Sequence, residues 1–324
     1  MRSSVALSLV WALVFGFQYT IPAAAQQTPT SAANPSSEAI NDQTTVKFGV
    51  GTTLILVPVS VTDSSNRIVL GLEKQDFQVF EDGTEQKISQ FSGEDAPISV
   101  GIIVDTSGSI GEKLDRSREA VSQFLKTMNE HDEAFLITFN QQAKLQVGFT
   151  AVSQRIEDKL VGIESSGYTA LLDAVNVGLE EMKKAKNARK AILIISDGGD
   201  NISHYTPREI ADVVRKADVQ IYAMGVFEPI MLRLSSEEIG GPKLLSNLSQ
   251  QTGGRIFAVA NDNQLPLAAE KIGIELRNQY LLAYSTTNQD RDGSYRKIAV
   301  KVNPPKELPP VKVRWRQGYY AGSQ

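Results

Sequence analysis

The sequence predicts a doubly wound α/β fold with a mostly parallel sheet, flanked by short all-β segments at both ends. Three observations carry this. Continuous apolar runs such as Val100–Val104 alternate with amphipathic helical patterns between Ile98 and about Arg277, the mark of strands covered on both faces. Before and after that region the apolar period is near two and no helical stretch intervenes. The apolar strands also end in carboxylates and hydroxyls, as in "ISVGIIVDTSGSIGEKL" from Ile98 to Leu114.

Along the chain, Arg2 followed by "VALSLVWALVFGF" and "AAAQQ" reads as a signal peptide over residues 1–25, cleaved after Ala25. No Cys occurs anywhere, so there is no lipobox, and the expected location is secreted or periplasmic, with no transmembrane segment after cleavage. Residues 26–45 are rich in Pro, Ser, Thr and Gln and read as a disordered linker. Residues 46–97 read as β: "TLILVPVSVTD" is a strand, "SSNR" a turn, and "DFQVFEDGTEQKISQF" a hairpin bent at Asp82-Gly83.

Residues 98–278 carry the α/β pattern. Strands are expected at Ser99–Val104, Ala134–Phe139, Ala143–Val147, Ala191–Ser196, Gln220–Val226 and near Arg255–Val259. Helices are expected around Leu114–Met128, Ala170–Met182, Leu244–Leu248 and Leu265–Arg277, with a capping box Thr206-Pro207-Arg208-Glu209 opening another. Residues 279–322 return to strands: "QYLLAYSTT", "YRKIAVKV" and "PVKVRWRQGYY". The loop "NQDRDGSY" between the first two reads as a hairpin turn rather than an EF-hand, because Ala299 stands where a Glu ligand belongs. Neither β segment is long enough for a sandwich alone, so the expectation is that they pair into one small β domain with the α/β domain inserted.

Composition narrows the chemistry. Lys+Arg is 33 against Asp+Glu 37, without the clustered basic face of a nucleic-acid surface. Zero Cys and two His, His131 and His204, exclude thiol catalysis and multi-His or Cys metal sites. No G-x-S-x-G elbow, P-loop or G-x-G-x-x-G follows a strand. The expectation is not an enzyme.

Ligands of open α/β sheets bind beyond the carboxyl ends of the strands. There stand Asp105, Ser107 and Ser109 after one strand, Asp197 after another, and Thr169 in a Gly-containing loop before a helix. These are hard oxygen donors, suited to Mg²⁺, Mn²⁺ or Ca²⁺ rather than zinc or copper. Tyr168, Asp200 and His204 are candidates for a ligand-contacting rim, although Asp200 and Asn201 also read as a solvated turn.

D-x-S-x-S at Asp105–Ser109, a distant Thr169 and a distant Asp197 resemble the metal-ion-dependent adhesion site (MIDAS) of the von Willebrand factor type A (VWA) domain family. "DEAFLITF", "TALLDAV" and "ILIISDG" are similar in character, and Ser166-Gly167-Tyr168 departs from the more usual Gly-Gly pair. The terminal β segments resemble bacterial secreted VWFA-related proteins. The resemblance implies a Rossmann-like domain in which Mg²⁺ (or Mn²⁺/Ca²⁺) meets an Asp or Glu side chain of a protein partner, as in cell adhesion. It also implies that Ser107 and Ser109 coordinate directly, that Thr169 and Asp197 exchange direct and water-mediated roles, and that Asp105 acts largely through water. The alternative reading is an envelope scaffold that binds through its β domain, with a secondary or degenerate metal site. A Mg-dependent hydrolase is the remaining one.

Overall fold

The computed structural model describes residues 54–227, 235–259, 261–305 and 308–322. The expected signal peptide, the linker and the first residues of the N-terminal β segment lie outside the described residues. Among the described residues, no helix is long and apolar enough to cross a membrane.

The chain begins with β1 (Leu54–Asp63), β2 (Phe77–Glu81), β3 (Thr84–Gln86) and β4 (Ile88–Ser92). Then come β5 (Ile98–Asp105), α1 (Leu114–Leu125), β6 (Glu133–Phe139), β7 (Ala143–Thr150), α2 (Ser153–Val161), α3 (Leu171–Met182) and β8 (Arg189–Ser196). The α/β part closes with α4 (Pro207–Lys216), β9 (Gln220–Val226), α5 (Ser236–Gln250), β10 (Ile256–Val259) and α6 (Leu265–Arg277). Four strands end the chain: β11 (Tyr280–Ser285), β12 (Tyr295–Val302), β13 (Val311–Trp315) and β14 (Gly318–Tyr320).

The central sheet has the order β10-β9-β8-β5-β6-β7, parallel except for the antiparallel β6/β7 edge pair. Every residue of β5 is buried, which explains the unbroken apolar run. Side chains alternate between two cores. Val100, Ile102 and Val104 face α1 and α6, whereas Ile103 faces Leu171, Val175 and the helices of the other side. α4 starts where the sequence places it: Thr206 Oγ1 accepts from the Glu209 amide at 3.3 Å, and Glu209 accepts from the Thr206 amide at 2.8 Å. The helix α2 has no counterpart among the expected elements. Only Ile156 and Leu160 are buried along it, too few apolar positions to raise a helical period.

The outer strands form two four-stranded sheets, β13-β1-β11-β4 and β14-β12-β2-β3. Each mixes strands from before and after the α/β part, and they share one core built on Val57, Val59, Val79, Leu282, Tyr284 and Ile298. Asp82 and Gly83 both take positive φ (+47° and +86°), the mirror-image turn that a tight hairpin needs.

Two expectations of pairing fail here. The second arm of that hairpin breaks after Gln86, so β3 stays with β2 while β4 crosses to β11 in the other sheet. The segment "NQDRDGSY" is likewise not a hairpin turn, because β11 and β12 lie in different sheets. Arg296, fully buried, holds this crossing by donating to the carbonyls of Asn288 (2.8 Å) and Asp290 (2.5 Å). Period-two patterning reports which residues face inward, and it is silent on which sheet receives them.

Candidate metal centre

From β5 the chain turns through α1 to β6 on one side of the sheet, whereas from β8 it turns through α4 to β9 on the other. The adjacent strands β5 and β8 therefore flank the topological switch point, the place where connections diverge and open a crevice. Asp105 is the last residue of β5, and Asp197 directly follows β8.

Asp105 is completely buried, and its carboxylate is held on both sides. Oδ1 accepts from the Ser107 amide (2.9 Å) and hydroxyl (2.6 Å), and Oδ2 accepts from the Ser196 hydroxyl (2.7 Å). Ser107 and Ser109 stand 3.1 Å apart, hydroxyl to hydroxyl. Ser107 is buried and Ser109 exposed, so the run D-x-S-x-S leads from the sheet interior to solvent. Burial lifts the Asp105 carboxyl most, and the neighbouring Asp197 charge lifts it further, against the hydrogen bonds of Ser107 and Ser196; it is pushed up to about 7.

Three loops are laced together around this point. The Gly108 amide donates to the Gly167 carbonyl (3.0 Å) and the Ser166 amide to the Thr106 carbonyl (2.9 Å), joining the Asp105 loop to the Thr169 loop. Thr169 is buried, its amide donates to Asn201 Oδ1 (2.9 Å), and its carbonyl accepts from the Asn201 amide (3.0 Å). That joins the Thr169 loop to the Asp197 loop. Asp197 itself accepts from the Gly199 amide at 2.9 Å. Behind it, Gly198 (φ +78°) lies backbone to backbone against Gly241 of α5, where a Cβ on either residue would fall within 2.6 Å of a carbonyl oxygen.

Around the rim, Tyr168 is 64% exposed and the His204 ring is open to solvent, with Nδ1 2.7 Å from Asp173 Oδ2. Asp200 is partly buried, and the Asp200-Asn201 turn is not simply solvated. Asp200 Oδ1 accepts from the Leu172 amide (3.3 Å) and the Ser203 hydroxyl (2.5 Å), capping the first turn of α3 from another loop. Ala170, where that helix begins, has no side chain to do this. Four contributors therefore escaped the sequence reading: Ser196, Asn201, Ser203 and Gly241. Only Ser196 carries a sequence signal, as a hydroxyl closing an otherwise apolar strand.

The donor set fits a hard divalent cation. No group of three or more His, Asp or Glu side chains gathers among the described residues, so an ion here would rest on two carboxylates supplemented by hydroxyls. One of those carboxylates is fully buried beside a second negative charge with no cationic side chain among the described residues bonded to it, an arrangement that a cation relieves.

Residues 100–199 match the sequence profile of the von Willebrand factor type A domain. The chain carries a von Willebrand factor type A domain. Among relatives, an uncharacterized protein of Borreliella burgdorferi is 21% identical over 217 residues, 60% of this chain and 63% of that protein. Inter-alpha-trypsin inhibitor heavy chain H4 of Bos taurus is 28% identical over 134 residues, 37% of this chain and 15% of that one. The chain thus spans less than two thirds of either relative. A solved structure described as von Willebrand factor type A from Catenulispora acidiphila is similar over 85% of this chain and 75% of that one, at 10% identity and a TM-score of 0.48. The vWF domain of the type V pili tip protein Mfa5 from Porphyromonas gingivalis is similar over 56% and 95%, at 11% identity and a TM-score of 0.46.

Proposed function

We propose that this protein is an exported, non-catalytic interaction module that engages an acidic side chain of a protein partner through a divalent cation, Mg²⁺ or Mn²⁺ before Ca²⁺. Asp105, Ser107, Ser109, Thr169 and Asp197 would hold the ion. The observation that carries this reading is the pairing of two carboxylates across the switch point, one of them buried with no cationic partner among the described residues. When bound, the ion would supply a positive centre with an exchangeable position, which a partner carboxylate can take.

The division of labour follows from the surroundings. Ser196 and Ser107 fix the Asp105 carboxylate in one orientation, so little reorganisation is needed on loading. Ser109, at the exposed end of the loop, is the most exposed of the five donors. Asn201, Asp200 and Ser203 keep the Thr169 loop and the start of α3 in register with the Asp197 loop.

The test is capture of partners from envelope extract by the purified chain, in Mg²⁺ and in excess chelator, with Asp197→Ala alongside. The reading expects partners that are retained in Mg²⁺, released by chelator and absent with Asp197→Ala. Partners held equally in all three conditions would overturn it in favour of a scaffold that binds through the sandwich.

A further inference from the structure

A second site lies at the β10 edge of the central sheet. β10 ends that sheet and β13 ends one sheet of the sandwich. The segments flanking them meet where the Gln317 amide donates to the Gln251 carbonyl at 3.1 Å, and where a Cβ on Gly253 would come within 2.5 Å of the Trp315 backbone. From there they border an open cleft of about 720 Å³, walled by Arg255 and Ile256 on one side and by Arg314, Trp315 and Gln317 on the other. Arg255 stands at the N-terminal end of parallel β10 and Asp105 at the C-terminal end of β5, so the cleft and the candidate metal centre are at opposite ends of the strands.

We infer that this cleft is a binding site for an extended acidic peptide, which adds as a strand along β10 and places a carboxylate on Arg314. The inference is independent of the metal reading. The backbone supplies the first part. The Ala223 amide donates to the Arg255 carbonyl at 3.1 Å, so in the parallel register Arg255 and Phe257 turn their backbone groups to β9. Those of Ile256 and Ala258 point to the open side and find no strand among the described residues. Such an edge is a template for strand addition.

Charge supplies the second part. Two arginines, Arg255 and Arg314, border the cleft, and the carboxylate bonded to the first is already engaged. Glu275 takes the Arg255 guanidinium on Oε2 and the Tyr222 hydroxyl on Oε1. Arg314 is left with Thr62 Oγ1 at 3.3 Å and no ion pair among the described residues. Burial, and then the like charge of Arg255, hold its guanidinium below the ordinary arginine value, a cost that a bound carboxylate removes. Gln251 adds a donor: its Nε2 is buried at the cleft wall without a hydrogen-bond partner.

Trp315 lines the cleft while its indole Nε1 donates to the Ile298 carbonyl of the sandwich at 2.9 Å, so it is the nearest reporter of the cleft. The chain has two tryptophans, Trp11 and Trp315, so the full chain with Trp11→Phe emits from the cleft alone. A short synthetic peptide alternating Val and Glu is titrated in excess chelator, which silences any metal-borne carboxylate binding. The Gln version of that peptide and an oligogalacturonate of similar length run in parallel. The expected result is a saturable emission change with the Glu peptide, weakened about tenfold or more by Arg314→Gln and by rising salt, and weaker with the Gln peptide. Gln251→Ala weakens it too, and serves alone should Arg314→Gln fail to fold. The inference is overturned if no titration saturates, if Glu and Gln peptides bind alike, if the variants bind like the parent, or if the oligogalacturonate binds in preference to the peptide.

Discussion

Asp105 and Glu81 are both buried carboxylates, yet their surroundings differ in kind. Glu81, at the end of β2 in the sandwich, takes hydroxyls from Tyr284 and Tyr319 at 2.8 Å each and from Thr286 at 2.5 Å, with the buried Arg296 guanidinium at 3.4 Å. Burial pushes its carboxyl up, but those four donors outweigh burial and hold it below the ordinary value. Asp105 has hydroxyls and an amide too, but in place of an arginine it faces Asp197, and its carboxyl rises to about 7. Glu81 is complete as folded. Among the described residues no cationic side chain bonds Asp105, and the fold leaves its loop open to solvent at Ser109. The lesson is that burial alone does not mark a functional carboxylate; the missing counter-charge does.

The largest expected effect breaks the comparison from the Glu81 side. Arg296→Ala leaves Glu81 without its cation and should cost about 3–5 kcal/mol in chemical unfolding, with or without Mg²⁺. A loss that Mg²⁺ restores would mean that the sandwich carboxylate is a metal site as well.

Next comes the pH dependence of Asp105. Its folded value lies above the unfolded one, so the folded state binds the extra proton and stability falls as pH rises from about 3.8 towards 7. The full penalty, near 4 kcal/mol, is present above that window in metal-free protein. Glu81 has the opposite sign: its contribution is present above its unfolded value and lost on acidification. Asp105→Asn should therefore stabilise the chelator-treated protein at pH 8 and flatten its slope between pH 4 and 7, measured by denaturant melts across pH. An unchanged slope would place the penalty elsewhere.

A smaller effect sharpens the account of orientation. Ser196→Ala frees Asp105 Oδ2 and should lower cation affinity about 10–100-fold while the fold persists. At the bottom of the scale, His204→Ala removes an exposed pairing with Asp173 and should change stability by under about 0.5 kcal/mol. Thermal melts suffice for that comparison.

Much of this was legible from residues alone. Mostly apolar runs located β5, β6, β8 and β9 to within a residue or two, because strands covered on both faces carry few polar residues. The convergence of Asp105 with Ser107, Ser109 and Asp197 followed from strand ends at a switch point. Less visible were interactions between loops far apart in sequence. Asp200 and Asn201 read as a turn, and their work on Leu172 and Thr169 emerges only once the loops meet. The same holds for Gly241, whose value lies in having no side chain against Gly198. In the sandwich, the crossing of β4 and the run Val311–Tyr320, which divides into β13 and β14 in different sheets, depended on tertiary partners that no local period encodes.

The most direct measurement is calorimetric titration of chelator-stripped protein with Mg²⁺ and Mn²⁺ at pH 6 and pH 8, beside Asp105→Asn. One saturable site is expected, with nearly one proton released on binding at pH 6 and little at pH 8, since the cation displaces the proton from a carboxyl that titrates near 7; Asp105→Asn should abolish both the site and the proton release. A chain that takes up neither ion, or takes it equally well without Asp105, would contradict the account.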